Sequence, residues 1–436
     1  MKNKYSIVIK TFLETEDRHT FLNNSTKILS IIFFISFFLR VAVVCYVHNY
    51  YDVERLQLTA GDVLEVVHNI VAGKGFSGKA YFSPEPRPTS WMAPIYPYFF
   101  SGCLLIFGSH GYLMVEILQC IASAFISIIL YFTGKKLFNK KAGFIAAILA
   151  AFYPPLMYYC TIMWGAIFFI LLINILILLL FKIKDTPTKY NMCLCGFLMG
   201  FTALVDPVIM CFYPFVFLWL FFNFPSHINT SIKNLGIVLG IMFLVISPWT
   251  IRNYLVFNKF VLIKSNIGHA FWVGNNPRAA GNMEIVFPEK EEIEKISVLT
   301  EVERERIFIT KAFTFIKENP KQFVSLFFSK LRFFWWKIDN KNLGTGNKYV
   351  QIMYFSYGII LFLALCGIIF SIAREKFYFI ILILFLFFSL SMTYSLTAVG
   401  TYRYRLPVEP YLLIFAALTI NIILKKLFSN QEMYLK

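Results

Sequence analysis

Long apolar runs separated by short polar segments give the chain its dominant pattern. Most runs are close to the ~20 residues that an α-helix needs to cross the hydrocarbon core of a bilayer, and they lack the period of a soluble core. Ten runs are predicted to span the membrane, namely residues 28–47, 112–133, 142–159, 164–181, 192–205, 208–224, 235–248, 350–372, 377–394 and 407–424. The predicted fold class is therefore an all-α polytopic membrane protein with about ten transmembrane helices.

One further apolar run, residues 94–107, is short for a full span and carries Pro94 and Pro97 before it ends at Gly108. If this run stays on one side of the membrane, the basic clusters between the spans all lie on the side of the N-terminal lysines. These clusters are at residues 135–141, 182–189, 233, 374–376 and 425–426. Because cytoplasmic loops are enriched in Lys and Arg, the pattern predicts a juxtamembrane helix at 94–107 and cytoplasmic termini.

This topology divides the chain into five regions. They are a cytoplasmic N-terminal segment 1–27, a transmembrane core 28–248 that includes a first outer loop 48–111, a large outer loop 249–349, C-terminal transmembrane helices 350–424 and a cytoplasmic tail 425–436. No small-residue cleavage site follows the first apolar run, so we expect it to remain as an anchor in the inner (plasma) membrane.

The two outer loops carry further helical patterns that place helices at the outer face. Residues 61–73 have one apolar face, and Thr300 with Glu303 forms a capping-box sequence before a helical pattern that stops at Pro320. Residues 320–338 mix aromatic and basic side chains, which is typical of an interfacial helix.

The composition supports the membrane interpretation and narrows the expected partners. The chain has 58% hydrophobic and 15% charged residues with a mean hydropathy of +0.65, whereas soluble domains carry about 25% charged residues. Its net charge of +17 lies mainly in the clusters between spans and in one loop. We therefore expect contact with anionic membrane lipids and no nucleic-acid partner.

Two carboxylates in the first outer loop are candidates for catalysis. Asp62 and Glu65 lie about one helical turn apart, above the membrane, where a carboxylate can act as a general base for a hydroxyl. The alternative is that both belong to a solvated helix face.

Four arginines are candidates for binding a phosphate at the outer face. Arg40 lies inside the first span, Arg252 follows the seventh, and Arg403 and Arg405 precede the tenth. Guanidinium groups bind phosphate through paired hydrogen bonds. Snorkelling of Arg40 and interfacial anchoring of the others are the alternatives.

Several segments, taken in order, resemble one family of membrane enzymes. They are GDVLEVVHNIVAGKGFS at 61–77, PTSWMAPIYPYFF at 88–100, IFG at 106–108, GKKLFNKKAGFIAAILAAFYP at 134–154, GFLMGFTALVDP at 196–207, PWTIRNYLVF at 248–257, GHAFWVGNNPRAAG at 268–281 and YRYRLPVEP at 402–410. Together they resemble the GT-C superfamily of glycosyltransferases, in particular the protein mannosyltransferase-like bacterial branch related to the aminoarabinose transferase of lipid A.

The resemblance implies a sugar donor on a polyprenyl phosphate, an active site at the outer face and an acidic base in the first loop, where Asp62 stands. It also implies a juxtamembrane helix at 94–107. Similar proteins often carry a second acidic residue after the Trp of the second outer turn, but this chain has Gly165 after Trp164. A site with two carboxylates is therefore in doubt.

The expected mechanism has Asp62 as the base and the four arginines as ligands of the departing lipid phosphate. Trp91, Tyr96, Trp272 and Asn275 are candidate walls for the sugar, with the aromatic belt at the membrane interface as the alternative for the aromatic residues. The outer loops carry no Asp-x-Asp pair, so we expect no cofactor and metal-independent transfer, although a divalent metal is not excluded.

The expected partners are a polyprenyl-phosphate-linked sugar, a lipid, glycan or protein acceptor, and membrane lipids. A lipid or solute transporter without chemistry is an alternative, but it calls for repeated halves or broken helices that the pattern does not show. A lipid-linked glycan polymerase or ligase is another alternative.

Overall fold

The structure is a computed structural model that describes residues 25–47, 53–79, 83–223, 228–282, 288–336, 348–372, 376–398 and 402–434. The helices are α1 (Ser25–Val47), α2 (Val53–Val71), α3 (Ile95–Phe107), α4 (Gly111–Leu137), α5 (Lys140–Ala151), α6 (Pro154–Tyr158), α7 (Ala166–Asp185), α8 (Lys189–Val205), α9 (Tyr213–Asn223), α10 (Ile228–Phe257), α11 (Ile267–Gly274), α12 (Lys290–Ser297), α13 (Glu301–Glu318), α14 (Pro320–Trp335), α15 (Lys348–Ile372), α16 (Phe377–Thr397) and α17 (Glu409–Tyr434). Strands β1 (Ser77–Gly78) and β2 (Arg87–Pro88) pair antiparallel. Four short 3₁₀ turns are Gly108–His110, Tyr159–Thr161, Pro207–Cys211 and Tyr402–Arg405.

The helical segments match the ten predicted spans. In the described chain, seven helices are long and apolar enough to cross a membrane, the pair α5 and α6 adds one bent span, and α8 and α9 are shorter apolar helices. The bend between α5 and α6 is 49°, and it falls at Pro154 and Pro155, whose rings remove backbone donors. The predicted fold class is confirmed, and the chain is an integral membrane protein.

Helices α3 and α4 form a hairpin. Read as one helix, their 43 residues would extend to roughly 65 Å, about twice the hydrocarbon thickness. Instead Gly108, with φ +57°, breaks the helix, and the Tyr96 hydroxyl of α3 donates to Gln119 of α4 at 3.2 Å. The segment 94–107 is thus a separate helix that folds back onto the next one.

The outer-loop helices predicted from the sequence are also present. Helix α13 begins with the Thr300–Glu303 capping box and ends at Glu318, before Pro320. The aromatic and basic segment forms α14, and α2 contains most of the predicted surface helix.

Basic clusters from several helices meet at one end of the bundle, which we call the lysine end. The Lys136 ammonium at the end of α4 forms an ion pair with Asp185 at the end of α7. The Lys376 ammonium, just before α16, donates to the Lys136 carbonyl at 2.8 Å, and Lys184 lies over the Tyr378 ring. Three of the clusters that the sequence assigns to the cytoplasm, at residues 135–141, 182–189 and 374–376, therefore lie together.

Cysteine labelling tests which side the lysine end faces. After the exposed Cys45 and Cys211 are replaced by Ser, we expect an impermeant maleimide to label Glu85→Cys in intact cells but not Lys189→Cys. Both side chains are exposed, so the difference reports the side of the membrane. Labelling of Lys189→Cys from outside would reverse the proposed orientation.

Candidate functional site

A cavity of about 340 Å³ lies among the turns that join the spans. Its walls come from the ends of α8 and α16, the turns before α7 and α17, and helix α11. The polar side chains that line it are Asp206, Lys264, Asn266, His269 and Arg403, and the aromatic ones are Trp91, Tyr96, Tyr159, Trp164, Phe169, Tyr394 and Tyr404. A polar centre within aromatic walls is the usual make-up of a site for a small polar ligand.

The cavity lies at the end of the bundle opposite to the lysine end. Helix α7 begins beside the cavity at Ala166 and ends at Asp185, the partner of Lys136. Helix α16 likewise begins near Lys376 and reaches the cavity at Tyr394. The 20 residues of α7 extend about 30 Å, the thickness of the hydrocarbon core.

Asp206 brings a carboxylate to the cavity wall. It follows the last residue of α8, and its Oδ1 accepts the Val208 amide at 3.3 Å, which caps the 3₁₀ turn Pro207–Cys211. The same oxygen lies 3.7 Å from the Lys264 ammonium, and both side chains keep part of their surface exposed, 35% and 24% respectively. The pair therefore presents opposite charges to a ligand in the cavity.

Arg403 presents a second cation from the turn Tyr402–Arg405. Its guanidinium lies over the Trp164 ring at 4.4 Å and over the Tyr404 ring at 5.2 Å. The Tyr404 ring stacks on Tyr394 with centroids 3.9 Å apart. Stacking holds the flat guanidinium while the side chain remains exposed.

A buried ion pair holds the turn that carries Arg403. Arg405 donates to Glu409 at 2.7 Å, with 3% of either side chain exposed. Glu409 also accepts from the Tyr153 hydroxyl at 2.9 Å, and the Arg405 guanidinium lies 3.5 Å from the Tyr357 ring centroid. Removal of one partner would leave an unpaired buried charge, so this pair fixes the turn to α17.

Glu301, the first residue of α13, ties the two outer loops together behind the cavity. Its carboxylate accepts from the Thr89 hydroxyl at 2.6 Å, from the Ser90 amide at 3.0 Å and from the Ser265 hydroxyl. Trp91 follows Ser90, and Lys264 precedes Ser265. The buried Glu301 carboxylate therefore fixes two chain segments that line the cavity, one at Trp91 and one at Lys264.

His269 adds a neutral polar group to the wall. Its ring lies between Trp91, at 5.4 Å between centroids, and Phe308, at 5.3 Å. Burial lowers the pKa of His269 to about 4, so the imidazole is uncharged at neutral pH. It can exchange hydrogen bonds with a ligand without adding charge.

Three of the predicted site residues line the cavity, namely Trp91, Tyr96 and Arg403. The Asp62 side chain lies outside the described part of the chain. Its backbone directly follows a kink at Gly61, where φ is +24°, and the next residue, Val63, lines the cavity. The position of Asp62 as a base thus stays a prediction.

Three of the predicted phosphate ligands are engaged by the protein elsewhere, and one of them is Arg405, in its buried pair with Glu409. Arg40 is fully buried and donates to the carbonyls of Ala150 and Ala151, where it satisfies the end of α5. Arg252 donates to the carbonyls of Phe76 at 2.8 Å and Thr89 at 2.7 Å, which fastens the first outer loop to α10. None of these three arginines lines the cavity.

Three other predicted residues also lie away from the cavity lining. Glu65 accepts the Lys79 amide at 3.0 Å, next to β1. Trp272 packs on Phe308 with ring centroids 5.3 Å apart, and the Asn275 amide donates to the Leu396 carbonyl at 2.8 Å. Their described contacts are with the scaffold around the cavity.

Sequence reasoning missed Asp206, Lys264 and His269. Asp206 had a detectable signal, since it ends an apolar run directly before Pro207. Gly165, where similar proteins often carry an acid, also lines the cavity, and a Cβ there would lie 3.2 Å from Tyr96. The described carboxylate of this cavity is supplied by Asp206 instead.

Within the described residues, no group of three or more His, Cys, Asp or Glu side chains is arranged to hold a metal ion.

The fold and cavity define a membrane protein with a polar site at one end of its bundle, and comparison with known proteins shows what it is similar to. Residues 88–251 match the family model described as dolichyl-phosphate-mannose-protein mannosyltransferase. Comparison with curated protein sequences gives no significant match.

Solved structures of proteins from two organisms are similar to the chain. The Archaeoglobus fulgidus oligosaccharyltransferase in the apo form has a TM-score of 0.57 at 13% identity, over 94% of this chain and 51% of that chain. AglB from the same organism, in complex with an inhibitory peptide and a dolichol-phosphate, has a TM-score of 0.57 at 14% identity, over the same shares of both chains. ArnT from Cupriavidus metallidurans in the apo state has a TM-score of 0.45 at 11% identity, over 83% of this chain and 55% of that chain.

The chain has the fold of GT-C membrane proteins, and the predicted resemblance to that superfamily is confirmed. The chain spans about half the length of the oligosaccharyltransferase structures that it matches.

Proposed function

We propose that this protein is a membrane glycosyltransferase that moves a sugar from a polyprenyl-phosphate donor to an acceptor hydroxyl at the outer face of the membrane. The observation that carries the proposal is the shared cavity of Asp206, Lys264 and Arg403, walled by aromatic rings. A phosphate needs cations, and a sugar needs a carboxylate for its hydroxyls and flat apolar faces for its ring. The match of residues 88–251 to a mannosyltransferase family model supports the same reaction class.

The donor phosphate is assigned to Arg403, with Lys264 as a second cation. Arg403 stacks on Trp164 and makes a long hydrogen bond of 3.5 Å with the Tyr404 hydroxyl. Arg40, Arg252 and Arg405 are not assigned to the phosphate, because protein carbonyls and carboxylates take up their described hydrogen bonds.

The polyprenyl chain is assigned to an apolar groove that adjoins the cavity. This groove of about 230 Å³ lies between α3, α7 and α8, and it shares Tyr96 and Val205 with the cavity. Its other lining side chains, such as Phe99 and Leu172, are apolar and half-buried. An isoprenoid tail in this groove leaves the phosphate beside the polar cavity, and a dolichol-phosphate bound to AglB is a lipid of this class.

The proposed reaction uses Asp62 as the base. Its carboxylate takes the proton of the acceptor hydroxyl, the acceptor oxygen attacks the anomeric carbon, and the bond from that carbon to the phosphate oxygen breaks. The polyprenyl phosphate leaves with the bonding electrons and an added negative charge, which Arg403 and Lys264 stabilise. Asp206 orients Lys264 and accepts hydrogen bonds from sugar hydroxyls.

A lipid, a glycan or a protein supplies the acceptor hydroxyl in this proposal. Membrane lipids surround the bundle in this proposal. The proposed position of the cavity at the outer face rests on the positive-inside pattern of the lysine end.

A charge-neutral substitution tests the role of Asp206. We expect Asp206→Asn in nanodiscs to raise the KM for the polyprenyl-phosphate sugar by about tenfold, because a hydrogen bond to a charged group and the partner of Lys264 are both lost. Asp185→Asn makes the same change at the lysine end and should leave the KM unchanged. If the wild type and Asp206→Asn had the same KM for the donor, Asp206 would have no part in donor binding.

A further inference from the structure

One wall of the cavity is the short helix α11, which belongs to the large outer loop. His269, Ala270 and Val273 of this helix line the cavity. Its eight residues make too few internal hydrogen bonds to be stable alone, so its position depends on what holds its ends.

A carboxylate holds the first turn of α11. Glu305 of α13 accepts the Gly268 amide through Oε2 and the His269 amide through Oε1, the latter at 3.3 Å. These amides belong to the unpaired donors of a helix N-terminus, where a negative charge is favourable. Glu305 is buried with 7% of its surface exposed.

An ammonium group holds the last turn of α11. Lys330 of α14 is 1% exposed, and it donates to the Gly274 carbonyl at 3.1 Å and to the Asn275 side-chain oxygen at 3.0 Å. A positive charge at the carbonyl end of a helix is likewise favourable. The two ends of α11 are therefore held by buried polar side chains from two different helices.

We propose that Glu305 and Lys330 are positioning residues that clamp the ends of α11 and hold His269 and Val273 against a bound sugar. The part of this inference that concerns transfer rests on the proposed function. The clamp itself rests on the contacts of α11 alone.

The ionisation of both groups falls near neutral pH. Burial raises the pKa of Glu305 to about 8, with the Gly268 and His269 amides and Arg304 opposing the rise and Glu301 adding to it. The Glu305 carboxyl is therefore protonated at pH 6. Burial lowers the pKa of Lys330 to about 7. His269 of α11, next to the Glu305 contact, stays neutral because burial lowers its pKa to about 4.

Arg405 also packs against α14. Its guanidinium reaches the Phe334 carbonyl at 3.5 Å, and Glu409 neutralises it. Of Lys330 and Arg405, it is therefore Lys330 that changes charge near neutral pH. Raising the pH through about 7 discharges Lys330 and weakens its hold on the Gly274 carbonyl.

Hydrogen exchange of α11, measured by mass spectrometry on the full chain in nanodiscs without substrate, tests the clamp. We expect residues 267–274 to exchange about tenfold faster in Lys330→Met and in Glu305→Gln at pH 6, because Met has no donor for the Gly274 carbonyl and the Gln side-chain nitrogen cannot accept from a backbone amide. In the wild type, the protection factor of α11 should fall between pH 6 and pH 7.5, and this fall should be absent in Lys330→Met. The matched controls are Lys321→Met on α14 and Glu318→Gln on α13, both exposed.

Transfer kinetics test the positioning role. We expect Lys330→Met and Glu305→Gln to raise the KM for the donor by about tenfold with a smaller change in kcat, in line with the loss of a hydrogen bond to a charged group. Unchanged exchange of α11 in both variants would overturn the clamp. Faster exchange with donor KM values equal to those of the controls would overturn the positioning role. Absence of transfer by the wild type would contradict the proposed function alone, because the exchange measurement needs no substrate.

Discussion

Replacement of Asp62 by Asn is expected to lower the rate of sugar transfer by about a hundredfold to ten-thousandfold, the contribution typical of a general base. Asn keeps the shape of the side chain but does not accept the proton of the acceptor hydroxyl. Val63, the next residue, lines the cavity, so position 62 lies at the edge of the site. Expression, thermal unfolding and affinity for the lipid donor are expected to stay at wild-type levels, because the substitution is isosteric.

Glu65→Gln is the matched control for this result. Glu65 accepts the Lys79 amide beside β1 and is absent from the cavity lining, so its neutral variant should retain most of the transfer rate. Transfer by purified protein in nanodiscs, with donor affinity measured in parallel, separates chemistry from binding. Wild-type turnover by Asp62→Asn would show that the base lies elsewhere.

Arg403→Ala is expected to weaken donor use by about a hundredfold or more, the effect of removing one donor that stabilises charge developing in the transition state. The guanidinium lines the cavity and stacks on Trp164, and the departing phosphate gains charge beside it. The loss should appear in kcat/KM for polyprenyl-phosphate sugars. Stability should change little, since Arg403 is exposed.

Two other arginines make this prediction specific. Arg278 is exposed and forms its ion pair with Glu289 at 2.7 Å, so Arg278→Ala should leave donor use unchanged. Arg252→Ala should instead lower the unfolding temperature, because its guanidinium fastens the Phe76 and Thr89 carbonyls. If Arg403→Ala behaved like Arg278→Ala, the phosphate site would have to be placed elsewhere.

The architecture was largely accessible from the sequence, because bilayer thickness sets the length of a spanning run and leaves few alternatives. A separate helix at residues 94–107 was expected from the proline content of that segment and from the placement of the lysine clusters, whereas its packing against α4 was not. The break between α5 and α6 was missed, although Pro154 and Pro155 signal it.

The arginines of the candidate site could not be sorted from the sequence. Arg40 and Arg403 look alike in the chain, but the partners of Arg40 lie as far as 111 residues away, at the end of α5. Which arginine makes its hydrogen bonds within the protein depends on the packing of distant helices, and no local sequence pattern predicts it. Asp206 and Lys264 were missed for the same reason, because 58 residues separate the two members of that pair.

The most direct test of the central claim follows both products of the reaction. The purified protein in nanodiscs is given a panel of polyprenyl-phosphate sugars with a labelled sugar, together with lipid, glycan and peptide acceptors. The account predicts, for at least one pairing, transfer of the labelled sugar to the acceptor with release of an equal amount of polyprenyl phosphate, and loss of both products in Arg403→Ala. Binding or movement of the lipid donor with its bond from sugar to phosphate intact, across the whole panel, would contradict it.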